Sequence, residues 1–247
     1  MKALILAAGY GRRLKPLTDT VPKAMVPVNG TPLLVNSLNN LTAVGIRDIG
    51  IVTGHMADYI KERIGQEWNG ARIRYFMNGD YLVTNNVESL HRAAPFFDDD
   101  MLLLECDVYY SKEILEALMR GEGDCSILVS PFNPETMDGT VIRTDGTRAL
   151  ELILGRWQGA DFDYNKMRKT VNMYRFSGEF AGKYIQLINW YVDNMGRQSY
   201  YEKVLGSLIY LRECDVRIVE VPETMWCEID DAEDLSRAEE QFRGSVF

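Results

Sequence analysis

The first half of the chain alternates short apolar runs with amphipathic stretches, and this alternation restricts the fold more than any other feature. The apolar runs predict strands at 3–7, 48–53, 72–76, 101–105 and 125–130. Amphipathic stretches that predict helices lie between them, near 31–44, 56–64 and 111–119 and after Asn86. Strands that alternate with helices are typical of βαβ units around a parallel sheet. We therefore predict an α/β fold with a doubly wound, mostly parallel sheet.

Beyond about residue 130 the pattern changes. Turn-forming residues separate alternating segments near 141–143 and 169–176, which predict antiparallel strands in a small lid or side lobe. Residues 177–211 have a helical period. A strand near 216–221 then precedes a last amphipathic helix at 231–242.

The composition fits one globular domain over 1–247, since 46% of the 247 residues are hydrophobic. We predict a core at about 1–130, a lobe at 131–215, and a strand and helix at 216–247 that return to the core. Asp and Glu number 36 against 27 Lys and Arg, which gives a net charge of −9. We expect no nucleic-acid partner and no membrane partner for so acidic a chain.

The four cysteines contain no C-x-x-C pair, which predicts reduced thiols. No apolar run reaches the roughly 18 to 20 residues that span a bilayer. The chain starts with a strand-like segment rather than with a signal peptide. We therefore expect a cytoplasmic protein, either a monomer or a homodimer.

The most informative segment is the loop after the first strand, residues 6–28, L-A-A-G-Y-G-R-R-L-K-P-L-T-D-T-V-P-K-A-M-V-P-V. Gly9 and Gly11 allow the backbone to turn with its N–H groups inward, which forms a nest for a polyphosphate. A purely structural turn does not need the cationic donors that this loop also carries, Arg12, Arg13, Lys15 and Lys23.

Other interpretations of the loop are weaker. A dinucleotide-binding fingerprint needs a third glycine where Leu14 stands, and a P-loop needs a Gly-Lys-Ser/Thr sequence that is absent. An ordinary βα turn with a solvated basic face is the simpler explanation for a G-x-G motif alone. The segment is much longer than that motif.

The full string resembles the signature of the nucleotidyltransferases that activate sugar phosphates and phosphocholine, L-A-A-G-x-G-x-R-L-x-P-L-T-x-x-x-P-K-x-[ML]-[VL]-x-[VI]. The resemblance implies a Rossmann-like fold of the GT-A type, with a nucleotide-binding core at 1–130 and an acceptor-binding lobe at 131–215. It implies that Arg13 holds the β- and γ-phosphates and that Lys23 lies near the α-phosphate, so both are predicted catalytic residues. Arg12 has a weaker nucleotide-binding role. Main-chain contacts to the nucleotide are implied for Leu6, Ala7, Ala8, Gly9, Tyr10 and Gly11.

Two acidic positions from distant parts of the chain predict a Mg²⁺ site. Asp107 follows the buried strand at 101–105, at the edge of a parallel sheet where ligands bind. Ser111 is a better helix cap than Asp107. An acidic segment before the last helix contains Asp230 and Asp231, and one of these also suits an N-cap. Mg²⁺ bridges one or two carboxylates to substrate phosphates, so Asp107 and Asp230 are the predicted ligands. The segments D-V-Y-Y and C-E-I-D-D-A-E-D-L resemble those of phosphocholine cytidylyltransferases and their phosphonate-using relatives.

A polar segment before the third helix suggests recognition of the base or ribose. Asn85, Asn86 and Ser89 can hydrogen-bond a base edge, with helix capping by Asn85 or Asn86 as an equal alternative. Cytidylyltransferases carry a similar N-N-x-x-S-L segment by the nucleotide, so the resemblance favours CTP and leaves UTP open. Asn78 and Glu105 are predicted to bind the nucleotide as well.

Polar and aromatic residues of the second half are predicted to bind the acceptor: Lys169, Asn172, Tyr201, Glu202, Trp226 and Glu228. Lys169 would balance the acceptor's phosphate or phosphonate. Tyr200, Tyr201 and Trp226, with Glu202, would hold an ammonium group by cation–π contact, with core packing as the alternative for these aromatics. The K-T-V-N and Y-E segments resemble those of phosphonate cytidylyltransferases.

The predicted function is Mg²⁺-dependent transfer of the cytidylyl group of CTP to a small phosphate or phosphonate of the phosphocholine or 2-aminoethylphosphonate class, with release of pyrophosphate. The acceptor's ionised oxygen is already a nucleophile, so no general base is needed. The alternatives are a sugar-1-phosphate nucleotidyltransferase using UTP, CTP or dTTP, a non-catalytic nucleotide-sensing subunit and, more remotely, a Rossmann-type oxidoreductase. His55 and His91 are expected to be isolated surface or outer residues.

Overall fold

The helices and strands follow the apolar alternation of the sequence. The computed structural model describes residues 1–244. Its helices are α1 (Leu33–Ala43), α2 (Ala57–Ile64), α3 (Asn86–Arg92), α4 (Lys112–Met119), α5 (Gly178–Met195), α6 (Tyr201–Leu211) and α7 (Ala232–Gln241). Its strands are β1 (Lys2–Ala7), β2 (Pro27–Val28), β3 (Thr31–Pro32), β4 (Asp48–Thr53), β5 (Glu67–Trp68), β6 (Ala71–Met77), β7 (Met101–Glu105), β8 (Val108–Tyr110), β9 (Cys125–Pro131), β10 (Val141–Thr144), β11 (Ala149–Ile153), β12 (Met167–Phe176), β13 (Val216–Glu220) and β14 (Trp226–Glu228).

One large sheet organises the fold. Its strands run in the order β13, β9, β12, β7, β1, β4, β6 and β5, and β10 and β11 continue from the first half of β12. The neighbours β7, β1, β4 and β6 are parallel. The predicted α/β fold with a mostly parallel central sheet is confirmed.

The position of β12 differs from the prediction. Expected in a side lobe, β12 lies in the main sheet, antiparallel to β7 on one side and to β9 on the other. The strand β9 therefore does not extend the parallel set next to β7. Most of β12 is buried, as a central strand requires, but its polar residues at 168–172 resemble those of a surface strand. The predicted division at 130 and 215 stays a prediction.

The region expected to be helical at 177–211 consists of two helices. α5 ends at Gly196, whose φ of 104° suits the left-handed end of a helix. A short segment then leads to α6. The break matters because this segment, 197–200, passes the start of α3 at the edge of the sheet: the Asn85 N–H donates to the Arg197 carbonyl at 2.9 Å, and the Val87 N–H to the Ser199 carbonyl at 3.2 Å.

The strand pleat divides the core between two layers of helices. Leu4 and Leu6 of β1 pack on the side covered by α3, α5 and α6, whereas Ala3 and Ile5 pack on the side of α1, α2 and α4. A smaller cluster joins α7 to β8 and β14. Both faces of the parallel strands are thus covered, and their carboxyl ends form the open edge of the sheet.

Two other expectations concern the cysteines and membrane-spanning helices. All four cysteines are free thiols. Among residues 1–244, none of the helices combines the length and apolar character that crossing a membrane requires.

Candidate active site

The loop after β1 is fixed on one side and open on the other. Gly11 has φ 70°, and a Cβ atom there would lie 2.8 Å from Cβ of Lys23, so only glycine fits. The Thr18 hydroxyl donates to the Gly11 carbonyl at 2.9 Å. At Gly9, by contrast, an added Cβ meets no atom within 4 Å. The loop therefore packs tightly against the protein while Gly9 leaves space for a ligand.

Lys23 brings the two predicted metal ligands together. Its Nζ donates to Asp107 Oδ2 at 2.7 Å and to Asp230 Oδ1 at 2.6 Å, across 84 and 207 residues of sequence. Arg13 Nη2 lies 2.7 Å from Asp230 Oδ2. The four residues predicted to carry the chemistry thus form one cluster at the carboxyl ends of β1 and β7.

Burial and neighbouring charges shift the pKa values of this cluster in opposite directions. Burial alone would lower the pKa of Lys23, which is 8% exposed, but the Asp107 and Asp230 carboxylates outweigh it and raise that pKa above its ordinary value. Burial would likewise raise the pKa of Asp230, and the Lys23 ammonium outweighs it, so that pKa is lowered. Each partner holds the other in its charged form.

The carboxylates of this cluster fit a divalent metal. Asp107 and Asp230 share one cation at short distance, and Asp107 Oδ1 is buried with no hydrogen-bond partner in the described part of the chain. Within residues 1–244 no group of three or more His, Cys, Asp and Glu side chains is placed to hold a metal. This donor set suits Mg²⁺, which takes one or two carboxylates and completes its shell with phosphate oxygens and water.

A cleft of about 370 Å³, here called the nucleotide cleft, opens beside this cluster. Its lining includes most residues that were predicted to bind the nucleotide or its metal: Leu6, Ala8, Gly9, Gly11, Arg12, Arg13, Lys23, Asn78, Asn85, Asn86, Ser89, Glu105, Asp107 and Asp230. Ala7 is buried within β1, and the Tyr10 ring packs against His55. Three residues that the sequence did not indicate also line it, Tyr81, Thr84 and Cys106, and so does Tyr200, which was predicted to contact the acceptor.

The polar residues of the loop at 78–89 already have partners. Asn78 is buried, and its amide donates to Thr84 Oγ1 and Ser89 Oγ, both at 3.2 Å. Asn85 is the N-cap of α3, with its Oδ1 accepting from the Asn86 N–H at 2.8 Å. The capping alternative is confirmed for Asn85. Base recognition by these side chains stays a prediction.

Asn86 connects two buried carboxyl groups. Its amide donates to Glu105 Oε1 at 3.3 Å and to Glu202 Oε2 at 3.4 Å, and the Tyr201 hydroxyl donates to Glu105 Oε1 at 2.9 Å. Burial, then the charges of Asp107 and Glu202, raises the pKa of Glu105 well above its ordinary value, and burial raises the pKa of Glu202 to about 7. Both groups therefore hold protons near neutral pH more readily than free glutamate does.

The predicted aromatic cage does not form. Tyr201 is fully buried beneath the nucleotide cleft, whereas Tyr200, the preceding residue, lines that cleft from above. Trp226 lines a different cleft, because β14 pairs with β8 and holds it there. Since these three rings face different spaces, they cannot enclose one ammonium group, and the core-packing alternative is correct for Tyr201.

A second cleft of about 540 Å³, here called the acidic cleft, meets the nucleotide cleft at Arg13 and Asp230, which line both. The segment 133–138, strand β14 and the start of α7 form its walls. Eight carboxylates line it, against three cations, Arg13, Lys169 and Arg237. The segment 133–138 and Arg237 were not indicated by the sequence.

Lys169 is not the free cation that the prediction required. It is 1% exposed, and its Nζ lies 2.8 Å from Glu228 Oε2. Asn172, at φ 57° where the β12 register shifts, donates to Glu228 Oε1 at 3.1 Å. Burial raises the pKa of Glu228, and the Lys169 ammonium opposes this. Lys169 and Asn172 therefore hold Glu228, which lines the acidic cleft with Trp226.

His55 was expected to be isolated and is not. Its ring centroid lies 4.2 Å from that of Tyr10 and 5.8 Å from that of Tyr81. His91, by comparison, bonds Asn189 Oδ1 at 2.9 Å between α3 and α5. The contacts of neither histidine could be predicted without the fold. His91 contacts a residue of α5, 98 residues further along the chain, and His55 follows β4, which lies between β1 and β6 only in the folded sheet.

Comparison with known proteins agrees with this geometry. A family model described as nucleotidyl transferase matches residues 2–152. The chain is 31% identical over 245 residues to CMP-5'-(3-aminopropyl)phosphonate synthase of Streptomyces rubellomurinus. The aligned region covers 98% of this chain and 39% of that protein. The chain thus spans well under half of that relative. It is 28% identical to choline-phosphate cytidylyltransferase of Streptococcus pneumoniae over 97% of both chains.

Solved structures share the architecture. The CTP:phosphocholine cytidylyltransferase from Streptococcus pneumoniae superposes with a TM-score of 0.74 at 23% identity, over 98% of this chain and 99% of that one. At this level of identity the likeness shows a common fold. The architecture of this chain is therefore a known fold.

Proposed function

The chain belongs to the nucleotidyl transferase family, and we propose that it transfers the cytidylyl group of CTP to a small phosphate or phosphonate that carries an amino or ammonium group. Nucleotidyl transfer is the activity of the family, whose members generally use a divalent metal. The choice of CTP and of this acceptor class is our proposal.

One observation carries the proposal: Arg13, Lys23, Asp107 and Asp230 meet at the junction of two clefts. A transferase of this kind needs a triphosphate site and an acceptor site that share the reacting phosphorus. The nucleotide cleft, with open Gly9 and three cations, suits the triphosphate. The acidic cleft reaches the same Arg13 and Asp230 from the other side.

The chemistry then needs positioning and charge neutralisation. An acceptor oxygen attacks the α-phosphorus in line, the new O–P bond forms as the bond to the β-phosphate oxygen breaks, and pyrophosphate leaves. The oxygen is already ionised, so no proton has to be removed. Arg13 and Lys23 neutralise the charge that develops on the phosphate oxygens. Lys23 is held rigidly for this role by its two carboxylate partners.

A divalent metal bound by Asp107 and Asp230 would supply further charge neutralisation at the phosphates. Asp107 Oδ1 supports this proposal, because it is buried and has no hydrogen-bond partner among residues 1–244. Lys23 Nζ donates to both carboxylates, at 2.7 and 2.6 Å, and so keeps them close together.

The charge of the acidic cleft supports an acceptor with a cationic end. The anionic end would lie at Arg13, and the remaining wall is dominated by carboxylates, among them Glu228 beside Trp226. Carboxylates at close range stabilise an ammonium group, and an indole face adds a cation–π contact. A neutral sugar gains nothing from this excess of negative charge, so an amino-type acceptor is favoured over a sugar phosphate. The names of two relatives support this choice: CMP-5'-(3-aminopropyl)phosphonate synthase and choline-phosphate cytidylyltransferase.

A pyrophosphate-release assay tests the proposal directly. Each of CTP, UTP, dTTP and GTP is combined with phosphocholine, phosphoethanolamine, 2-aminoethylphosphonate or glucose 1-phosphate, in the presence of Mg²⁺. We expect release with CTP and an amino-type acceptor. Release with glucose 1-phosphate alone would replace the proposal by a sugar-phosphate nucleotidyltransferase, and nucleotide binding without any release would point to a sensing subunit.

A further inference from the structure

The nucleotide cleft is built from two loops that are not neighbours in the sheet. The first follows β1 and contains Gly9, and the second follows β6 and contains Asn78 and Ser89. Strand β4 separates them, since the order is β1, β4, β6. Whatever sets the spacing of the two loops must therefore lie just beyond the end of β4, at residues 53–56.

The backbone at the end of β4 touches both loops. The His55 N–H donates to the Ala8 carbonyl at 3.1 Å, and the Asn78 N–H donates to the Thr53 carbonyl at 2.8 Å. Gly54 has no space for a side chain, because an added Cβ would lie 2.7 Å from the Ala8 carbonyl oxygen and 3.0 Å from Tyr81 Cβ. The backbone at 53–55 therefore contacts both loops directly.

The side chain of His55 also contacts both loops. Its ring packs against Tyr10 of the first loop, with centroids 4.2 Å apart and planes tilted by 40°. On the other side, His55 Nδ1 lies 3.3 Å from the Tyr81 hydroxyl of the second loop. Burial lowers the pKa of His55, so the neutral ring can accept this hydroxyl at Nδ1. Lys15 Nζ and Arg12 lie over the Tyr10 ring, at 5.5 and 5.8 Å.

We propose that His55 is a positioning residue, which sets the distance between the base and triphosphate subsites by packing against Tyr10 and Tyr81 together. This inference rests on the proposed function, since it takes the cleft to bind a nucleoside triphosphate. A ligand that spans both subsites gains affinity only when their spacing matches its own. A ligand that touches one subsite does not depend on that spacing.

This difference gives a test that a general structural role would not pass. Dissociation constants are measured by calorimetry for CTP, CMP and inorganic tripolyphosphate with wild-type protein and His55→Ala. We expect CTP to bind about tenfold more weakly to the variant, as the loss of aromatic packing implies. CMP and tripolyphosphate should each change less than twofold, and kcat at saturating CTP should stay within about twofold.

Two further variants keep the test decisive. Tyr81→Phe removes only the hydroxyl that contacts His55, and should weaken CTP by about two- to threefold with CMP unchanged. His91→Ala removes the chain's other histidine, away from the cleft lining, and should leave all three constants unchanged. Melting temperatures confirm that each variant is folded.

The outcomes separate the two ideas. Equal weakening of CTP, CMP and tripolyphosphate, or unchanged CTP binding in both His55→Ala and Tyr81→Phe, would overturn the role of His55 while the proposed function stands. Failure of the wild-type protein to bind CTP would overturn the proposed nucleotide, and this inference with it.

Discussion

The two clefts that meet at Arg13 and Asp230 are constructed in opposite ways. The nucleotide cleft is formed largely by the chain's first 107 residues, with a glycine-containing loop and its cations at the end of a parallel strand. The acidic cleft combines segments from four separate regions: Arg13, 133–138, Lys169 and 223–241. The first presents a glycine-containing loop and three cations, whereas the second presents an excess of carboxylates.

The contrast indicates that the two clefts differ in how much sequence change they tolerate. A triphosphate is recognised by backbone geometry, which a local motif fixes, while an acceptor is recognised by side chains that many different segments can supply. Substitutions in the nucleotide cleft should therefore mainly lower kcat. Substitutions in the acidic cleft should mainly raise the KM for the acceptor.

The largest expected effect is on rate at the junction. Replacing Lys23 by Met should lower kcat by about a thousandfold, because it removes the ammonium group predicted to neutralise the reacting phosphate. Pyrophosphate release at saturating substrates measures this, and circular dichroism checks the fold. Lys112→Met, on α4 and paired with Glu116 at 3.2 Å, is the control. Unchanged turnover in Lys23→Met would remove Lys23 from the chemistry.

A smaller effect should appear in the acidic cleft. Glu228→Gln should raise the KM for the amino-type acceptor by about thirtyfold, since a charge-assisted contact of roughly 2 kcal/mol is lost. The KM for CTP should stay within twofold. Glu220→Gln serves as the control, because that exposed carboxylate at the end of β13 pairs with Arg168 of β12 and does not line the acidic cleft. A parallel rise in both KM values would show that the two clefts are not functionally separate.

The carboxyl pair under the nucleotide cleft predicts a pH effect on stability. The pKa of Glu202 is raised from 4.5 to about 7, so its contribution to stability is present below about pH 4.5 and is lost as pH rises through 7. Between pH 5 and pH 8 the wild-type free energy of unfolding should therefore fall by about 2 kcal/mol more than that of Glu202→Gln. Urea denaturation at both pH values measures this. Glu62→Gln, exposed on α2, should follow the wild type, and a Glu202→Gln curve identical to the wild-type curve would contradict the raised pKa.

The smallest effect concerns the helix beside the acidic cleft. Asp231 caps α7 by accepting from the N–H groups of Glu233 and Asp234 at 2.9 and 3.0 Å. Asp231→Ala should cost about 1 kcal/mol of unfolding free energy. The midpoint of urea denaturation measures this, with Glu240→Ala on the same helix as the control. A stability loss no greater than that of the control would show that the cap contributes nothing.

Sequence reasoning succeeded where the determinants are local. The parallel strands and the glycine loop could be predicted because periodicity and turn chemistry act over a few residues. Asp107 and Asp230 could be paired because Mg²⁺ bridges one or two carboxylates to phosphates and the family resemblance assigns both residues to the metal. The position of β12 could not, since strand order depends on packing between distant segments.

The same limit explains the errors within the site. The sequence identifies Tyr200 and Tyr201 as aromatic, but only the start of α6 determines that they face opposite directions. The sequence shows that Lys169 is a cation, but it does not show its partner. That partner, Glu228, lies 59 residues away and is brought to Lys169 only by the fold. His55 lacked a local signal altogether, because its neighbours come from the ends of β1 and β6.

The capping box of α7 has a consequence for the reacting centre. Asp234 accepts hydrogen bonds from the N–H groups of both Asp230 and Asp231, at 2.9 and 3.3 Å. The backbone that carries a proposed metal ligand is thereby anchored to the opening turn of a peripheral helix. Helix ends fray more readily than sheet interiors. The accuracy with which Asp230 is positioned at the reacting centre consequently depends on the rigidity of the first turn of α7.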